Sequence, residues 1–288
     1  MDLAYKLDYN LCKRARKLFD LSHFSFESVL MRYLYRLLSL PERNTYERSF
    51  VTESNRKYIW VFWAQGEKGM PPIVSKCYQS IKEHTRKEDL VLLSMDNIEQ
   101  FVQLPSIIYD RLRDKAITYT HFSDILRFAL LKEYGGWWID ATIFLTADLP
   151  ATNSLFTIKN PFDRVIVSKN LWSSFLWYLP PNHPLAIFAY DSLIKYWERN
   201  AFVINYLLTD FVILFYYRHN KSFRHEIDSI KESNHYIYFF QSEEALMPFD
   251  ANRWKDLQKD TTFFKTTYKI KTKNIPANSY YRKLLCDI

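Results

Sequence analysis

Apolar positions along this chain change their period inside one stretch, His121 to Thr146, which reads HFSDILRFALLKEYGGWWIDATIFLT. Up to Tyr134 they recur at three- and four-residue intervals, through Ile125, Leu126, Ala129 and Leu130. That spacing predicts an amphipathic helix with Ser123 or Asp124 as its cap. Gly135 and Gly136 then stop the helix, because glycine adopts the left-handed backbone that a helix end needs. From Trp137 to Leu145 the run is that of a strand. Alternation puts Trp138, Asp140, Thr142 and Phe144 on one face and Trp137, Ile139, Ala141 and Ile143 on the other.

The flanking chain carries the same two periods. Residues up to Leu40 read as helices, the second from Phe26 to Leu40, followed by a polar linker from Pro41 to Asn55. KYIWVFWAQ, Lys57 to Gln65, predicts a strand ended by Gly66 and Pro71-Pro72, with a helix from Ile73 to Thr85 after it. Leu90 to Ser94 is a second strand, and Ile98 to Arg113 is a helix broken near Pro105. Further on, Val165 to Ser168 reads as a short strand, and Leu185–Trp197 and Phe202–Tyr217 read as helices. Strands alternating with helices predict an α/β fold with a nucleotide-binding half. Phe202 to Tyr217 is the most apolar segment, yet Asn205, Thr209 and Asp210 interrupt it and it is too short to span a bilayer.

Composition adds three constraints. A chain of 288 residues, 48% hydrophobic and 25% charged, has enough apolar material for a large core. The net charge of +7 favours anionic partners such as phosphates, nucleic acid or an acidic membrane surface. The basic residues Lys13, Arg14, Arg16 and Lys17 sit beside Leu11, Leu18, Phe19 and Leu21. Such a segment is either a solvated helical cap or an amphipathic helix lying on a membrane. Cys12, Cys77 and Cys286 are widely spaced and form no ligand pattern, which predicts a reducing, cytoplasmic compartment. Aromatic residues make up 18% of the chain, and only four glycines occur, two of them in the central stretch.

Candidate chemistry gathers there. Asp124 and Arg127 are three residues apart and leave one side of the predicted helix; such a pair alone is ordinarily a surface ion pair. A carboxylate in an apolar strand needs a partner, so Asp140 asks for a metal ion or sugar hydroxyls. Asp96 follows the second strand, at the end where open α/β sheets bind ligands, which suits contact with a ribose.

The order of these parts in SDILRFALLKEYGGWWIDATIF resembles the signature of the sugar-transferase superfamily that includes glycosyltransferase family 32 and the capsular polysaccharide synthesis proteins. The Asp-Ala-Thr is closer to the capsular branch. The resemblance implies a GT-A type nucleotide-diphospho-sugar transferase with a Rossmann-like mixed sheet. It divides the chain into an N-terminal helical extension, 1–55, and a transferase domain, 56–288. Within the domain, 56–165 is the nucleotide-sugar half and 166–288 the acceptor half.

By the same likeness Asp124, Arg127 and Asp140 are catalytic, and Trp63, Asp96 and Gly136 join Asp124 and Arg127 around the donor. Trp63 stacks on the base, with Trp60 a weaker candidate. Asp140 and Thr142 hold a divalent cation, Mn²⁺ or Mg²⁺, loosely because Thr142 replaces a second aspartate. Asp210 lines the acceptor side. The closing segment FFKTTYKIK places Lys265, Lys269 and Lys271 toward the diphosphate or toward water.

The implied reaction moves a sugar from a nucleotide-sugar donor, most readily a UDP-sugar, with retention of configuration. The acceptor is a glycan or lipid-linked glycan of a capsule, lipopolysaccharide or O-antigen, met at the inner face of the cell membrane. A rival reading is an inactive glycan-binding or membrane-scaffolding protein of the same fold. Nucleic acid is not expected as a partner: beyond the N-terminal cluster the cations are dispersed, and no nucleic-acid motif is present.

Overall fold

The computed structural model describes residues 23–38, 57–160, 167–270 and 274–286. In chain order the elements begin with α1 (His23–Leu38), β1 (Ile59–Phe62), α2 (Pro72–Glu83), β2 (Leu90–Leu93) and α3 (Ser106–Arg113). The central stretch forms α4 (Tyr119–Glu133), β3 (Gly136–Ile139) and β4 (Ile143–Leu145). Then come β5 (Leu176–Leu179), α5 (Pro184–Arg199), α6 (Leu208–His219) and α7 (Lys221–Ser229). The described chain closes with α8 (Ala251–Asp260), β6 (Phe263–Lys265) and α9 (Tyr280–Leu285). Among the described residues no helix is long and apolar enough to cross a membrane. The basic cluster at Lys13 to Lys17, the linker at 41–55 and Lys271 lie outside the described residues.

The described residues pack as two units, and these interleave along the chain. One contains α1, Leu104–Glu133 and Asn182–His225; the other contains 57–103, Tyr134–Pro181 and 226–286. The consecutive halves that the family resemblance implies, 56–165 and 166–288, are a division by role rather than by packing.

The first unit is helical. Leu126, Phe128, Leu130 and Leu131 of α4 are buried with Leu193 and Trp197 of α5 and Val212 and Leu214 of α6. Tyr33 of α1 is pinned by Asn200: its hydroxyl donates to Asn200 Oδ1 at 2.9 Å and accepts from Asn200 Nδ2 at 2.7 Å. α4 begins earlier than predicted. Thr118 stands before its first residue and accepts from His121 N–H through Oγ1 at 3.3 Å, so Ser123 and Asp124 lie inside the helix rather than at its cap. α6 begins later than predicted, at Leu208 instead of Phe202.

The second unit holds the sheet, in the order β2-β1-β3-β5, with β4 and β6 as a separate pair. β1 pairs in parallel with β2 and with β3, while β5 runs antiparallel to β3. Val61 and Ile139 enter a core shared with Ile73, Val74 and Ile81 of α2 and the aromatics Phe240, Trp254 and Phe264. The α/β class and the mixed sheet are as the sequence predicts. Two details differ. The strand predicted over Trp137–Leu145 breaks after Ile139, where Ile143 N–H donates to the Asp140 carbonyl at 2.9 Å and closes a turn. Aspartate favours the first position of such a turn, and the chain leaves the main sheet there. Val167 and Ser168, expected at the end of a strand, form a turn, and the strand that borders β3 is β5, eight residues further on.

Gly135 and Gly136 make the transition from α4 to β3. Gly136 has φ 95°, and a Cβ on it would lie 2.2 Å from the Tyr58 carbonyl oxygen. Both the backbone angle and the close approach exclude a side chain. Gly136→Ala should therefore destabilise the protein by more than about 2 kcal/mol, combining backbone strain with displacement of β1. Urea denaturation measures this; a loss below about 0.5 kcal/mol would show that β3 can shift without cost.

Candidate active site

Because β1, β2 and β3 are mutually parallel, their C-terminal ends share one edge of the sheet, and each end is followed by a polar or aromatic group. Trp63 follows β1, Asp96 lies three residues beyond β2, and Asp140 follows β3. Ligands of open α/β sheets bind at this edge. Trp63 is half-buried, its indole N–H donating to the Gly69 carbonyl at 3.0 Å. Its ring meets Tyr268 edge-on at 5.6 Å, and Tyr268 is 47% exposed. Trp60, by contrast, is fully buried and donates to the Gly135 carbonyl at 2.9 Å, so it is a core residue. Asp96 is exposed, its backbone N–H held by Ser94 Oγ at 3.3 Å.

Asp140 and Thr142 do converge, through the turn rather than through strand alternation, and the group they converge on is Lys265. Its ammonium donates to Asp140 Oδ2 at 2.9 Å and to Thr142 Oγ1 at 2.7 Å. The Lys265 nitrogen also stands 4.6 Å from the centre of the Phe175 ring. Register explains the meeting: β4 and β6 pair antiparallel with Ile143 opposite Lys265. The adjoining Thr266 donates its N–H to the Thr142 carbonyl at 2.8 Å, tying the two segments again. On its other side Asp140 Oδ1 accepts from the Trp138 indole at 2.9 Å, and its backbone N–H donates to the Phe175 carbonyl. Cys77 lies below, in contact with Thr266 Oγ1 at 3.3 Å; burial pushes its thiol up to about 12, so it adds no charge at neutral pH.

A divalent ion of the Mg²⁺ or Mn²⁺ kind takes about six oxygen ligands, which in nucleotide sites are one or two carboxylates with substrate phosphates and water. Here one carboxylate and one hydroxyl converge, and an ammonium already lies between them. Among the described residues no group of three or more His, Cys, Asp or Glu side chains could hold a metal. With that ammonium seated between them, Asp140 and Thr142 are not open to a divalent ion.

Asp124 and Arg127 belong to the helical unit. Their ion pair, Arg127 Nη2 to Asp124 Oδ1 at 3.1 Å, is well buried, with side chains 3% and 15% exposed. Asp124 Oδ2 also accepts from Thr209 Oγ1 at 3.2 Å and lies 3.7 Å from His121 Nδ1. The Trp197 indole donates to His121 Nε2 at 3.0 Å, which assigns the ring proton to Nδ1, on the side of Asp124. Asp210, half-buried in the first turn of α6, directly follows Thr209. Gly136 opens β3 and so stands at the opposite end of that strand from Asp140; its close approach to Tyr58 accounts for its presence.

Three contributors escape a reading of the sequence: Tyr268 beside Trp63, Phe175 beneath Lys265, and the Trp197–His121 support of Asp124. The first two come from segments far along the chain, and no local pattern marks them. His121, three residues before Asp124 on a helix, carries the one available signal.

The model of the family described as capsular polysaccharide synthesis protein matches residues 15–284. Glycosyltransferase afumC of Aspergillus fumigatus is 30% identical over 162 residues, 52% of this chain, and this chain spans 40% of that relative's length. The solved structure of PaToxG Glycosyltransferase aligns with 79% of this chain and 83% of its own at 14% identity and a TM-score of 0.41, too low a likeness to bear on the fold or the site.

The burial of the Asp124–Arg127 pair has a measurable consequence. Removing one partner leaves a buried charge uncompensated, so Arg127→Met and Asp124→Ala should each cost about 3–5 kcal/mol. The double variant should lose less than the sum of the two. A double-mutant cycle by chemical denaturation tests this, and losses under about 1 kcal/mol would assign the pair to a solvated surface.

Proposed function

Because the chain belongs to the capsular polysaccharide synthesis protein family, we propose that it is a GT-A-type glycosyltransferase, moving a sugar from a nucleoside-diphosphate donor, foremost a UDP-sugar, to a cell-surface polysaccharide. The observation that carries this reading is the edge of β1, β2 and β3, where Trp63, Asp96 and Asp140 follow successive parallel strands. A half-buried Trp63 beside an exposed Tyr268, a carboxylate and an anchored ammonium are the groups that a base, a ribose and a diphosphate require.

In the transfer, the bond from the anomeric carbon to the diphosphate breaks and its electron pair leaves on the phosphate oxygen. The acceptor hydroxyl forms the new bond and gives its proton to the departing diphosphate. Stabilising the charge that grows on the leaving group is usually the largest catalytic contribution. On this reading Trp63 and Tyr268 receive the base, Asp96 the ribose hydroxyls, and Lys265 faces the diphosphate with Asp140 orienting it. The roles of Asp124 and Arg127 at the donor sugar and of Asp210 toward the acceptor are carried over from the family resemblance alone. Retention of configuration is carried over from the family resemblance. The basic cluster Lys13, Arg14, Arg16 and Lys17 favours an acceptor displayed at an anionic membrane.

Incubation with a panel of UDP-, GDP-, CDP- and TDP-sugars, followed by assay of released nucleotide, tests the reading directly. One donor should be turned over. Trp63→Ala should weaken binding of the matching nucleotide by about 1–3 kcal/mol, the worth of one base–aromatic stack, and should abolish its quenching of tryptophan fluorescence. Release of nucleotide from no donor, together with retained binding of a glycan, would establish the inactive glycan-binding alternative.

A further inference from the structure

We propose that Lys265 is the resident cation of the donor-phosphate site, standing where the family resemblance places a divalent metal, so that the nucleoside diphosphate is bound without one. The inference rests on the donor reading above and specifies its chemistry.

Geometry carries the argument. Asp140 and Thr142 are the two side chains that the resemblance assigns to the ion. Both instead accept hydrogen bonds from one ammonium, at 2.9 and 2.7 Å. Those lengths are ordinary for N–H···O bonds, so the nitrogen fills the space between the two oxygens. An ion in that space would have to displace it. The ammonium is also held by more than these two contacts: it lies over Phe175, and β6 carries it at a register fixed by pairing with β4. A positioned charge of this kind needs little reorganisation when the leaving group develops its own charge.

Room for the ligand remains. Lysine has three donor hydrogens, and Asp140 and Thr142 receive two of them. The Lys265 side chain is 17% exposed and that of Asp140 27%, so the group opens to solvent on one side. Downstream, the same segment leads to Tyr268, which meets Trp63. One short stretch of chain thus supplies a cation for the phosphates and a ring beside the proposed base platform. The substitution of threonine for a second aspartate is consistent with this arrangement: two carboxylates around one lysine would leave a net negative charge facing a diphosphate, whereas Asp140 with Lys265 is neutral.

Calorimetry with UDP, GDP, CDP and TDP, each in excess EDTA and again in MnCl₂, tests the inference on the intact chain. The wild type should bind one of them with affinities that agree within about threefold in the two conditions. Lys265→Ala should lose at least about tenfold in EDTA, and Mn²⁺ should restore part of the loss, because Asp140 and Thr142 are then open to the ion. Lys265→Arg should keep most of the affinity in EDTA, and circular dichroism of each variant confirms that it is folded. Binding by the wild type only in Mn²⁺, or full affinity of folded Lys265→Ala in EDTA, would overturn the role of Lys265 and leave the donor reading standing. Binding of no nucleotide in either condition would overturn the donor reading and this inference with it.

Discussion

The approach of Gly136 to Tyr58 is the constraint on which the sheet unit depends. Without a Cβ, the first residue of β3 lies against the Tyr58 carbonyl, and Trp137 N–H donates to that same oxygen at 2.8 Å. From there β3 continues in register with β1, Trp60 opposite Trp138. The indole of Trp60 closes over the junction through the Gly135 carbonyl. A four-residue strand started at that point delivers Asp140 to the C-terminal edge, after Trp63 and Asp96 have reached it from β1 and β2. A strand shifted by one residue would turn its side chains to the other face.

The turn at Asp140 then does what a continued strand could not. By leaving the main sheet after Ile139, the chain pairs β4 with β6 and brings Lys265 to the carboxylate. The cost of placing a carboxylate in apolar surroundings is met by an ammonium and an indole N–H. The helical unit solves a similar problem differently. There Arg127 pairs with Asp124 from within one helix, and neighbouring helices contribute Thr209 and, through His121, Trp197. In both places a carboxylate is oriented by several donors, which holds it in one direction.

Much of this was determined by the sequence alone. The α/β class, the helix-to-strand switch at Gly135-Gly136, and the placing of Asp96 after a strand and of Trp63 near the end of one follow from local periodicity and from where glycine is tolerated. The family likeness follows from the spacing of Asp124, Arg127, Gly135, Gly136 and Asp140. Those are short-range properties, written within a few turns of chain. Tertiary structure decided what each polar group faces. Asp124 and Arg127 form a buried pair because α5 packs on α4 and α6 brings Thr209 to Asp124, which a helical repeat does not reveal. Asp140 faces a lysine because a turn redirects the chain and the strand carrying Lys265, 125 residues later, pairs beside it. Partners so far apart in sequence are chosen by which surfaces bury best together, and no local pattern encodes that choice.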